Sequence, residues 1–144
     1  MDVSMGNHDP VDASKTTIRQ LLADTSGLPG WRPLYTFPSR IDARNTILHS
    51  FFSYQPNTDR IPSDIGYLLL GWIAEQISFS DLYSTMNKLI FSALELEQTG
   101  FRPNNPKNHV PLPMPQDGIA PLQGEGLFGE SSDNNSLFFH GITG

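Results

Sequence analysis

The run Pro62-Ser63-Asp64-Ile65-Gly66-Tyr67-Leu68-Leu69-Leu70-Gly71-Trp72-Ile73-Ala74-Glu75-Gln76-Ile77 constrains this chain more than any other stretch. Ser63 is a good helix N-cap, and Asp64 places negative charge at the positive end of the helix dipole. Pro62 keeps the preceding backbone extended. From Ile65 to Ile77 only Glu75 and Gln76 are clearly polar, the pattern of a helix covered on nearly all sides. Gly66 and Gly71 each cost roughly 1 kcal/mol relative to alanine inside a helix, so they mark places where another backbone is expected to come close. A helix this apolar requires neighbours.

Length and charge narrow the classes. The 144 residues suit one domain of modest core or part of a larger one. A formal net charge of -6, with 9 scattered Lys and Arg, argues against a phosphate-backbone partner, so nucleic acid is not expected. No run approaches the roughly 18 apolar residues of a membrane span. Residues 1–14 are polar and lack the pattern of a signal peptide; they read as a flexible leader. With 0 cysteines, disulfides, thiolate metal sites and a cysteine nucleophile are all ruled out. His8 and Asp9 supply two ligands at most, short of the three or four of a zinc site, so no metal is expected.

Thr16 or Thr17 caps a short helix through Ile18, Leu21 and Leu22, which Gly27 and Pro29 stop. Trp31 to Phe37 alternates aromatics with prolines and reads as an irregular or edge segment. Ser39 caps a helix with Ile41, Ala43, Ile47, Leu48, Phe51 and Phe52 on one stripe. His49 near its end favours the negative pole. Gln55 to Asp59 is a turn in which Asn57 tolerates left-handed backbone. Ser80 with Asp81 starts a further helix with Leu82, Met86, Leu89 and Ile90 facing inward. Six prolines from Pro103 to Pro121 then exclude a continuous helix. Gly124-Glu125-Gly126-Leu127-Phe128-Gly129 matches the dinucleotide fingerprint in form only, because no strand feeds it and Glu125 would repel a pyrophosphate. No cofactor is expected.

Three landmarks, in order, carry a resemblance. Thr17-Ile18-Arg19-Gln20-Leu21-Leu22-Ala23-Asp24-Thr25-Ser26-Gly27-Leu28-Pro29 is similar to the Thr-Ile-Arg-x-Leu-Leu-Thr-His-Thr-Ser-Gly-Leu-Pro of the serine β-lactamase-related and penicillin-binding-protein-like hydrolases, which include class C β-lactamases and related esterases. The Pro62 to Ile77 run resembles that family's second motif and the helix after it. Leu94 to Pro103 is similar to its Pro-Leu-Gly-Met-x-x-Thr-Gly-Phe-x-Pro, with Glu95 in place of a glycine. Ser132 to Gly144 resembles a later segment, Asp-x-Asn-Ala-x-x-Leu-Gly-Gly-x-Ala-Gly, with His140 where glycine is usual.

The resemblance implies a mainly α unit, the helical lobe of a β-lactamase-like α+β serine hydrolase fold. Residues 15–102 are expected to form that lobe. Residues 103–144 are expected to be extended, with one short strand near Leu137 to Ile142. The implied parent reaction is acyl transfer from an amide or ester to serine and then to water. Its second motif reads Tyr-x-Asn or Tyr-x-Asp; here Pro62, Ser63 and Asp64 occupy those positions, and a pyrrolidine ring cannot exchange protons as a phenol can. No serine is followed three residues later by lysine, so the Ser-x-x-Lys pair in which the lysine assists deprotonation of the serine is absent from these residues. Lys-Thr-Gly is absent too; Lys15-Thr16-Thr17 is the nearest approach. Ser26 has no activating base at a useful spacing and reads as part of a turn.

Two expectations follow. The first is a truncated or partial member of the family that is inactive alone, whose partners are the sheet-forming parts of the fold. The second is a non-catalytic module that binds a ligand or protein at the cleft around Ser63 and Asp64. Asp64 itself has two readings, a helix cap or a cleft residue. The family is often periplasmic or extracellular, and the residues here do not fix a compartment.

Overall fold

A computed structural model describes residues 15–49, 52–101 and 133–139. Helix α1 (Ile18–Leu22) begins at Thr17, which of the two threonines is the cap. The Thr17 hydroxyl accepts from the Gln20 N–H at 3.2 Å, and the Gln20 side chain accepts from the Thr17 N–H at 2.8 Å. This reciprocal pair satisfies two donors that a helix start otherwise leaves open. A 3-10 turn (Leu34–Thr36) follows, so the aromatic and proline segment is irregular rather than a strand edge. Helix α2 (Arg40–Leu48) starts on Ser39, whose hydroxyl accepts from the Asp42 N–H, and ends at His49. The His49 ring nitrogen Nδ1 lies 2.7 Å from the Asn45 carbonyl, in keeping with the favoured placement of such a residue at a helix C-terminus.

Helix α3 (Asp64–Ser78) is the longest among the described residues; α1 and α4 pack against it, while α2 and the last helix pack against the 3-10 turn. Its first turns supply Ile65, Leu68 and Gly71 to a core completed by Leu21, Leu28, Leu34, Ala43, Ile47 and Phe139. Phe37, Phe52, Leu69, Leu70, Trp72, Ile73 and Phe138 pack around this cluster. The expectation of all-round cover is corrected. Tyr67 is exposed, Ile77 is 71% exposed, and Phe79, which ends the helix in left-handed conformation, is 95% exposed. The physical reason is that α1, only five residues long, packs against the beginning of the helix and reaches no further. At Gly66 the neighbours of an added methyl would be the Ser63 and Leu21 side chains at 3.5 to 3.8 Å, an ordinary contact, rather than a second backbone.

Helix α4 (Leu82–Met86) is capped by Asp81 rather than Ser80, and it runs on into a π-helical turn (Asn87–Phe91). The Ser92 N–H donates to the Asn87 carbonyl five residues back. That wider winding rotates the expected inward stripe out of register, and Leu89 and Ile90 are exposed. The last described element is α5 (Asn134–Phe138). Leu137 and Phe138, expected in a strand, are helical. The Asp133 side chain accepts from the Ser136 N–H at 2.7 Å, and this cap nucleates a helical turn. The rest of the expected strand, from His140 on, lies outside the described residues, as do His8, Asp9 and the Gly124 to Gly129 run.

Candidate functional site

The second-motif positions are built by two loops that meet at the start of α3. Helix α1 ends in a turn where Asp24 takes left-handed backbone, with φ of 58°. The turn is closed by the Thr25 N–H donating to the Gln20 carbonyl at 2.9 Å. Gly27, with φ of 86°, follows against Tyr54 and Phe52. This folding brings Asp24 beneath residues 61–63. The Asp24 carbonyl accepts from the Ile61 N–H at 3.0 Å and from the Tyr54 hydroxyl at 2.9 Å. Its carboxylate Oδ1 accepts from the Ser63 N–H at 3.2 Å. Asp24 and Tyr54 therefore organise the site. Reading the sequence residue by residue missed them; the one signal was that Asp24 stands where the resembling pattern has histidine.

Ser63 is 3% exposed. Its hydroxyl donates to the Pro29 carbonyl at 2.7 Å and accepts from the Gly66 N–H at 3.1 Å. Beside it the Asp64 N–H donates to the Gly30 carbonyl at 2.9 Å, and Gly30 itself lies close under the Pro62 carbonyl. Pro62 is exposed. The arrangement clamps the 61–64 backbone to the turn at residues 24–30. It commits the one proton of the Ser63 hydroxyl to a backbone acceptor, which leaves the oxygen a poor nucleophile. Ser26 is also buried, and its hydroxyl accepts from the Leu28 N–H at 3.4 Å as part of the same turn.

Asp64 is half-buried in the first turn of α3. Burial, and then the negative charge of Asp133, push its carboxyl above the ordinary aspartate value. The helix N-terminus favours the ionised form, yet here loss of solvent outweighs it. The approach of Asp133 shows that α5 returns to this end of α3. Its Asn135 is buried and doubly bonded: Nδ2 donates to the Arg32 carbonyl at 2.8 Å, and Oδ1 accepts from the Tyr35 N–H at 3.2 Å.

A surface depression of about 430 Å³, lined by Glu75, Gln76, Phe79, Ser80 and Asp81, sits at the opposite end of α3. At roughly 1.5 Å per residue it is about 20 Å from Ser63, so it plays no part in the second-motif geometry. Among the described residues no group of three or more His, Asp or Glu side chains is placed to hold a metal ion. No helix among them is long and apolar enough to cross a membrane.

The helical architecture agrees with the helical lobe that the family resemblance of the sequence implies. No curated protein matches the chain. The sequence model of the family described as Beta-lactamase matches residues 8–130, most of the 144, and so takes in both loops of the clamp and all of α3. The chain therefore belongs to the β-lactamase family.

Proposed function

We propose that these residues are the helical lobe of a β-lactamase-like serine hydrolase and do not by themselves carry out the acyl transfer of that family. What carries this reading is that no serine of these residues has a lysine three positions later, and the state of Ser63 shows that the second-motif serine is no substitute nucleophile. That serine is buried, its proton is held by the Pro29 carbonyl, and its oxygen caps the Gly66 N–H. Pro62 beside it offers no exchangeable proton. Acyl transfer to a serine needs an accessible oxygen free to give up its proton to a base, and the Ser63 oxygen is buried with its proton on the Pro29 carbonyl. The role left to the 61–64 segment is to fix the start of α3.

A second reading has an observation in its favour. Ile77, Phe79, Leu89 and Leu94 leave large apolar surfaces exposed on the α3 end and on the α4 segment, as a unit that docks against further protein would. The sheet-forming parts of the fold, or a separate protein partner, would suit that surface. A non-catalytic binding module derived from the fold is the alternative it supports.

The test is hydrolysis of a chromogenic cephalosporin and of 4-nitrophenyl acetate by the purified 144-residue chain, beside a Ser63→Ala variant. Both are expected to match the buffer rate, with no acyl-enzyme in intact-mass spectra. Turnover by the chain that a single serine substitution abolishes would overturn the proposal.

A further inference from the structure

We draw no further inference here: the strongest candidate, the surface depression lined by Glu75, Gln76, Phe79, Ser80 and Asp81 at the C-terminal end of α3, carries nothing, because its two carboxylates already accept from the Leu82 and Ser84 N–H groups at the start of α4 and nothing else in it points to a ligand.

Discussion

Asp24, Asn57, Phe79 and Glu95 hold left-handed backbone without being glycine, a conformation that costs an ordinary residue about 1 to 2 kcal/mol. Three have a local account. Asp24 anchors Ser63, Ile61 and Tyr54. Asn57 is a tolerant residue type, and its N–H donates to the Thr25 carbonyl at 2.9 Å. Phe79 terminates α3. Glu95 is exposed at a place where the resembling pattern has glycine, and it keeps the glycine-like backbone, with φ of 55°. Glu95→Gly is expected to stabilise the chain by up to about 1 kcal/mol, the strain relieved less the added freedom of glycine when unfolded. Gly27→Ala should do the reverse. A methyl there would overlap the Tyr54 carbonyl oxygen and come within 2.8 Å of Phe52 Cδ1, on backbone at φ of 86°. A loss of about 3 kcal/mol or more is expected from strain and overpacking together. Urea unfolding of the two variants beside the parent checks both; equal midpoints for Gly27→Ala and the parent would contradict this account of the turn.

At the scale of elements, two helix starts carry carboxyl groups with opposite dependence on pH. The backbone N–H and then the hydroxyl of Ser84 hold the Asp81 carboxyl below its ordinary value. Its contribution is therefore present above the unfolded value and lost as pH falls through the lower folded one. Burial and Asp133 raise Asp64, so the folded state binds that proton more tightly than the unfolded chain does. The stability due to Asp64 is full below the unfolded value and is lost as pH rises through the raised one. Asp64→Asn, which stays neutral, should flatten the decline of stability with rising pH in the carboxylate range. Asp81→Asn should flatten the decline on acidification below that range. Thermal melts of both variants across acidic pH check the signs; a parallel shift of either curve would count against that assignment. The caps on which these elements begin were legible in the sequence, because Thr17, Ser39 and Ser63 act on backbone three residues away. The bonds that assemble the site were not. Asp24 reaches Ser63 across 39 positions and Asn135 reaches Tyr35 across 100, and neither separation leaves a periodic trace. The π-turn and the helical α5 escaped for a related reason: apolar spacing fits several windings, and packing selects one.

For the molecule as a whole, the distribution of apolar surface sets the expected solution behaviour. The core gathers at the first half of α3, where α1, the 3-10 turn, α2 and Phe139 converge. Beyond it Ile77, Phe79, Tyr83, Leu89 and Leu94 are exposed. Large apolar groups in such number are unusual for a monomer that meets only water. Because a net charge of -6 opposes close approach of two copies, association should strengthen with salt as that repulsion is screened. The isolated chain is expected to sediment as a concentration-dependent mixture at 0.5 M NaCl, to bind an apolar dye, and to melt broadly. Ile77→Lys with Leu89→Lys should suppress the association and the dye signal while moving stability by no more than about 0.5 kcal/mol per site, since each side chain is exposed in the monomer. A sharp melt from a salt-independent monomer would mean that the chain closes its own core, and the stand-alone binding module would then be the better reading of this β-lactamase family member.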